Sequence, residues 1–265
     1  MPAPDWTRTE NYLWMDTLTP REWAWEFLRR NPDFQAAWQI AKLEFGIAGY
    51  CAQTTMIVSQ HQVPSLTEWG CLYCSDPRHD AREAHVIWAP EINPHVLRLS
   101  ALSLTEKVEA SPFSLREIAS PSILLEMPTG LQHLLFTEGG RSLQLLIHGA
   151  DVARPVRLVT DGAPGRVLAK PQLRSLQCFN DLRLAGKLHP SHVQRDPMST
   201  RWKLVLRALD GCLAGAPRKE IARHVLSEYS DDRWLLPERP LQDRIRRALH
   251  RGHALMRDGY RKLLS

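Results

Sequence analysis

Pro240-Leu241-Gln242-Asp243-Arg244-Ile245-Arg246-Arg247-Ala248-Leu249-His250-Arg251-Gly252-His253-Ala254-Leu255-Met256-Arg257 stands near the end of the 265-residue chain and has two distinct sides. Wound as an α-helix at about 100° per residue, Leu241, Ile245, Ala248, Leu249, Gly252, Leu255 and Met256 fall within an arc of about 120°. Arg246, Arg247, His250, His253 and Arg257 take the rest of the circumference, with Arg244 and Arg251 at its flank. Only Asp243 and Asp258 oppose them. A helix that is merely solvated mixes charge signs through pairs three and four residues apart, and this one barely does. An exposed arginine face suits the major groove of DNA, where a guanidinium grips phosphate and the guanine edge alike. A helix lying on a membrane would set bulky aromatic residues between its bases, and none occurs here. Docking onto an acidic protein, and binding of RNA or another polyanion, stand behind DNA as alternatives.

Two further helices precede it. Trp202, Val205, Leu206, Leu209 and Leu213 recur at the spacing of one helix face before Gly215. Pro217 then opens Arg218-Lys219-Glu220-Ile221-Ala222-Arg223-His224-Val225-Leu226, where the small Ala222 suits the close approach found in a helix-turn-helix. Trp202, Leu206, Ile221, Leu241 and Ile245 are expected in the core. The charge agrees with a basic end: residues 199–265 hold 15 Lys/Arg against 8 Asp/Glu, net +7, whereas residues 1–110 are net −5. That asymmetry is expected where one end of a chain meets an anionic polymer.

Upstream the patterns change. Thr19-Pro20-Arg21-Glu22 reads as a capping box with proline at the first helical position. The helix it opens should stop before Asn31-Pro32, where a second helix begins. The aromatic residues here (Trp6, Tyr12, Trp14, Trp23, Trp25, Phe27, Phe34 and Trp38) read as a small core, because the local charge is acidic. His85–Trp88, Val96–Leu99, Ile123–Met127, Leu131–Thr137, Leu143–His148 and Val156–Val159 read as strands. Gly139-Gly140 supplies the positive φ of a tight hairpin between two of them. Helical spacing returns over 171–186. The reading is an α+β protein: an N-terminal helical module over 1–45, a β-rich middle over 46–165 and a helical DNA-binding domain, helix-turn-helix-like, over 166–265.

Other chemistry finds little support. Five cysteines, an odd number, fit a reducing compartment. No stretch has the length and apolarity of a membrane span, and residues 1–30 lack a signal peptide's apolar core. The chain is read as cytoplasmic. Cys71-x2-Cys74 with His79 and His85 invites a zinc reading, but the histidine spacing is loose, so no metal is expected. No nucleophile elbow, phosphate loop or dinucleotide fingerprint occurs; neither enzymatic activity nor a cofactor is expected.

The segments Leu206-Arg207-Ala208-Leu209-Asp210, Gly215-Ala216-Pro217-Arg218-Lys219-Glu220-Ile221-Ala222, Arg244-Ile245-Arg246-Arg247-Ala248, Arg251-Gly252 and Gly259-Tyr260-Arg261-Lys262-Leu263-Leu264 resemble the RovC-type DNA-binding domain of proteobacteria. Trp23-Ala24-Trp25-Glu26-Phe27-Leu28-Arg29-Arg30-Asn31-Pro32, with Trp69-Gly70 and Asp76-Pro77, resembles the transcriptional-regulator-like module that often precedes it. The resemblance implies a regulator that activates promoters of type VI secretion clusters or controls integrative and conjugative elements. Some short relatives are antiactivators that sequester another regulator, which is the alternative function. The sequence departs from the family pattern at Pro237-Glu238-Arg239-Pro240 and at Gln242, and the connection 227–237 is longer than a simple helix-turn-helix turn. From the charges, Arg244, Arg246, Arg247, His250, Arg251 and Arg257 are expected to face double-stranded promoter DNA. Arg218, Lys219 and Arg223 would meet phosphate from the preceding helix, and Arg261 and Lys262 would anchor the outer backbone. Self-association is expected of a reader of symmetric sites, with the transcription machinery or another regulator as a further partner and the β-rich middle as a scaffold or oligomerisation unit.

Overall fold

The computed structural model describes residues 4–59, 63–104, 112–160, 169–189, 196–226 and 238–265, the side chains of 238–241 excepted. It is an α+β protein, with helices toward both ends of the chain and strands between. Two compact units are present: Met1–Pro32 with Gln194–Leu263, and Asp33–Val193 with Leu264–Ser265.

The helical unit opens with a 3-10 segment, Thr9–Thr17, and helix α1, Pro20–Leu28. The capping box at its start is formed: Glu22 N–H donates to Thr19 Oγ1, and Thr19 N–H donates to Glu22 Oε2 at 2.7 Å. Such a cap is worth about 1 kcal/mol. Helix α2, Pro32–Ala41, begins where the sequence places it but packs within the other unit, where Phe34 meets Trp69 edge to face at 5.7 Å. The Asn31-Pro32 break that ends α1 is thus also the point where the chain leaves the helical unit.

The second unit is built on a seven-stranded mixed sheet in the order β1-β2-β6-β7-β8-β5-β9. Its strands are β1 (Phe45–Cys51), β2 (Thr54–Ser59), β5 (Leu97–Ser103), β6 (Ser122–Glu126), β7 (Gln132–Glu138), β8 (Arg141–Gly149) and β9 (Val156–Thr160). A short helix, α3 (Pro64–Thr67), leads into a separate two-stranded sheet of β3 (Cys71–Cys74) and β4 (Val86–Trp88). The β7–β8 hairpin turns as expected at Gly139 and Gly140, φ +55° and +77°, the left-handed pair that a two-residue turn needs to match strand twist.

Both faces of the central strands are covered, which explains their unbroken apolar runs. On one face Leu97, Leu99, Leu124, Leu134, Phe136 and Leu145 pack with Phe179 and Leu182 of helix α4, Lys170–Ala185. On the other, Ile57, Ile123, Leu125 and Leu135 pack with Ile87 of β4 and Leu72 of β3. Gln144 ties β4 to the sheet, donating to Trp88 O at 2.7 Å and accepting from Trp88 N at 3.2 Å.

The strands β1 and β2 have no counterpart in the sequence reading. β1 reads Phe-Gly-Ile-Ala-Gly-Tyr-Cys, and two glycines weaken its strand signal. Its register also shifts between Ile47 and Gly49, so apolar residues do not alternate cleanly. It lies at the sheet edge, where burial does not enforce a pattern.

Candidate nucleic-acid interface

Helix α5, Ser199–Leu213, is the core of the helical unit, buried from Trp202 through Gly211. Helix α6 (Arg218–Leu226), helix α7 (Glu238–Arg257), α1 and the Thr9–Thr17 segment pack in the same unit, followed by a last 3-10 turn, Gly259–Leu263. Trp202, Leu206, Ile221 and Ile245 are buried as expected; the side chain of Leu241 lies outside the described residues, as does the connection 227–237.

Gly252 brings α7 close to α5. A Cβ there would sit 3.2 Å from Leu209 Cβ, a few tenths of an ångström tighter than ordinary contact, and 3.5 Å from Val205 Cγ1. With Ile245, Ala248, Leu249, Leu255 and Met256 it forms the buried face of α7. Arg244, Arg246, Arg247, His250, Arg251 and Arg257 are all exposed. Asp243 lies among them and pairs with Arg246, Nη2 to Oδ1 3.2 Å, with both side chains more than half exposed. An ion pair in that setting holds its arginine weakly, by about 0–1 kcal/mol. His253 differs from its place on the basic face in the sequence reading. It is half-buried beside Cys212, Nε2 to Sγ 3.8 Å, because its position borders the apolar arc.

Arg251 is held rather than splayed. Its guanidinium lies 4.7 Å from the centre of the Trp202 ring. That ring is itself fixed, with Nε1–H donating to Asp196 Oδ2 at 2.8 Å and Phe27 edge-on at 6.3 Å. On α6, Arg218, Lys219 and Arg223 are exposed while Ile221, Ala222, Val225 and Leu226 are buried. In the last turn Lys262 is exposed, and Arg261 is half-buried between the Tyr260 ring, 5.9 Å away, and Asp258, at 3.9 Å. The eleven expected cations therefore lie on three successive segments of one compact unit, ten exposed and Arg261 half-buried.

Not every base in this unit belongs to that surface. Lys203 and Arg207, on α5, are buried. Lys203 Nζ donates to both oxygens of Asp16, at 2.7 and 2.8 Å, and Arg207 donates to the carbonyl of Trp6 and to Thr9 Oγ1 at 3.0 Å. Asp210 completes the same helix face, held by Arg30 and by the Tyr12 hydroxyl at 2.7 Å. This face is not among the expectations drawn from the sequence. Its only signal was that Lys203, Arg207 and Asp210 recur four and three residues apart on a helix already rich in apolar residues.

Cys71 and Cys74 are both buried on β3, where burial pushes the Cys74 thiol well up from its ordinary value. Among the described residues no three of His, Cys, Asp or Glu come together as metal ligands do. Among them, too, no helix is long and apolar enough to cross a membrane.

This arrangement, a basic helix buried on one side and offered to solvent on the other, agrees with two family matches that place the chain among DNA-binding transcriptional regulators. Residues 167–265 match the RovC DNA-binding domain, described as the DNA-binding domain of a type VI secretion system transcription factor. Residues 5–56 match the proteobacterial transcriptional regulator-like domain. No curated protein matches the chain.

Proposed function

We propose that the chain is a sequence-specific regulator that activates transcription by binding promoter DNA with the exposed face of α7. The observation that carries this reading is the division of that helix: its six described buried positions are apolar or glycine, while Arg244, Arg246, Arg247, His250, Arg251 and Arg257 are exposed. In this reading α7 enters the major groove, Arg218, Lys219 and Arg223 of α6 meet phosphates beside it, and Arg261 and Lys262 extend the backbone contact. Phosphate contacts supply salt-sensitive affinity and base-edge contacts supply sequence choice. The chain would act as an oligomer on repeated half-sites.

The test joins genome-wide mapping of bound sites to gel shifts on the fragments recovered. Arg246→Ala/Arg247→Ala is expected to weaken binding by roughly tenfold or more, since a single lost base contact costs about 1–3 kcal/mol, with the circular dichroism spectrum unchanged. Unchanged affinity would overturn the assignment. Absence of DNA binding by the unmodified chain, with a regulator co-purifying instead, would favour an antiactivator.

A further inference from the structure

The two edges of the seven-stranded sheet are finished differently. At one, Phe113 exchanges both backbone hydrogen bonds with Val156 of β9, at 2.8 and 3.0 Å, and Arg157 follows as an exposed charge. Covering an edge and charging it are two usual ways of keeping a strand from pairing with another chain. At the other edge β1 pairs with β2 on one side, and among the described residues no strand pairs with its outer side. The sequence from Phe45 to Gln60 holds no charged residue and no proline.

The bulge in β1 decides what this edge presents. Ile47 and Tyr50 stand three positions apart, a spacing that sends side chains to opposite faces of a regular strand. The extra residue, Ala48, changes that. Ile47 lies opposite Ile57 and Tyr50 opposite Thr55, so both take the sheet face of Ile57. Phe45 joins them on that face, edge-on to Tyr73 at 5.2 Å, while Cys51 turns to the core on the other face. Ile47 is 66% exposed and Tyr50 72%, and Leu43, just before the strand, is 77% exposed. A bulge often blunts an edge; here it also gathers two large apolar side chains on one face of an uncharged strand.

A neutral strand with apolar side chains suits this edge, and a second β1 is such a strand. Two identical antiparallel strands are related by a two-fold axis, so the contact closes at two copies. With the axis between Ala48 and Gly49, Ile47 of each copy lies directly opposite Tyr50 of the other and on the same face. Aromatic against β-branched pairs of this kind stabilise sheets. The two bulges then face each other, and no charge is set against its like. Taking Leu43, Ile47 and Tyr50 out of water on both copies removes on the order of 600 Å² of apolar surface. The paired backbones bring the total toward the roughly 1,200 Å² at which standard specific interfaces begin.

We infer that β1 is an interface between two copies of this chain, joined antiparallel through Ile47 and Tyr50 so that their sheets become continuous. This gives a surface to the oligomer of the function proposed above, and it rests on the sheet rather than on the DNA-binding reading.

The test uses the full chain without DNA, followed by sedimentation velocity over a concentration series. The unmodified chain should self-associate, with a dimer as its smallest assembly, and come apart on dilution. Ile47→Lys and Tyr50→Lys should each weaken the dimer by about tenfold or more, with the circular dichroism spectrum unchanged because both positions are exposed. Val159→Lys, at an exposed position of the opposite edge strand, should leave it unchanged. A chain that stays monomeric throughout would overturn the pairing, as would a dimer that both β1 variants leave intact. The register has its own check. Ile47→Cys mixed with Tyr50→Cys should form a disulfide between positions 47 and 50 of different copies under mild oxidation, identified by mass spectrometry, since directly opposed strand residues meet disulfide geometry. Its absence, or position 47 joined to itself, would overturn the arrangement. Neither outcome bears on whether the chain binds DNA, which the gel shifts above read separately.

Discussion

Arg30 and Asp210, 180 residues apart in sequence, meet in a buried two-pronged ion pair: Nε to Oδ1 at 2.5 Å and Nη2 to Oδ2 at 2.9 Å. Glu26 supports the same guanidinium at 2.6 Å and Tyr12 donates to Asp210. Arg30 ends the first helical stretch and Asp210 lies on α5, so the pair makes the N-terminal residues part of the core that carries α7.

Removing one partner strands a buried charge. Arg30→Ala is expected to cost about 3–5 kcal/mol, read as a lower urea midpoint for the helical unit, whereas replacing Arg30 and Asp210 together by Met and Leu, with Glu26→Gln and Tyr12→Phe so that neither of their buried partners is stranded, should cost less. Equal losses would show that the pair acts through packing rather than charge.

A chain cut to residues 167–265 should for the same reason fail to fold cooperatively. It would lack Asp16 for Lys203, the Trp6 carbonyl for Arg207 and Arg30 for Asp210. It would also expose the side of α5 that Trp23 and Phe27 meet, Trp23 through its indole N–H to Ser199 Oγ and Phe27 against Trp202. Hydrogen exchange on the fragment checks this: strong protection of α5 amides would contradict it.

His133, on β7, is 3% exposed, and its Nδ1 has no hydrogen-bond partner among the described residues. Burial first, and then the charge of Arg98, push its pKa down to about 4. The folded state therefore holds the neutral ring, while an unfolded histidine titrates near 6.5. Between those values the unfolded chain binds more protons, so stability is full above about pH 6.5, falls as pH drops toward 4, and levels off below it. The loss is on the order of 3 kcal/mol. His133→Leu should flatten that part of the stability-against-pH curve, measured by urea unfolding at pH 7 and pH 4.5; an unaltered slope would assign the acid sensitivity elsewhere.

Gly252→Val forces a branched side chain against Leu209 and Val205. Overpacking of this kind costs about 1–3 kcal/mol, less the gain of about 1 kcal/mol from removing a helical glycine. The expected result is a thermal midpoint lowered by a few degrees and weaker duplex binding, because α7 is displaced from α5. A raised midpoint would mean that the helices can part freely.

Asp243 is an acid within the exposed arginine face, paired with Arg246. Asp243→Asn should tighten binding to a random-sequence duplex by a few-fold and steepen its salt dependence, as one repulsive charge leaves the surface. Weaker binding instead would place Asp243 in contact with a base, where a carboxylate can accept from cytosine N4.

Local chemistry was enough for several elements. The capping box at Thr19, the break at Asn31-Pro32, the hairpin at Gly139-Gly140 and the two-sided α7 each depend on residues within one or two turns of one another, so their signals are contiguous. β1 was not legible, because a glycine-bearing edge strand with a bulge has no periodicity to read, and β2, interior to the sheet between β1 and β6, is only six residues long and does not alternate cleanly between buried and open positions. The candidate surface was legible as a set of cations on α6 and α7. The support for Arg251 was not, since the ring beneath it comes from α5, 49 residues earlier.

From the sequence alone it follows that α7 must bury one side and present arginines on the other, since apolar period and charge are properties of consecutive residues. Which bases stay exposed was decided only by the tertiary structure. Lys203 and Arg207 look in sequence like any others of the basic C-terminal region, yet they are buried against Asp16, Trp6 and Thr9. The reason is physical: the free energy of a charge depends on the solvent and counter-charges around it, and here those come from a segment almost two hundred residues away.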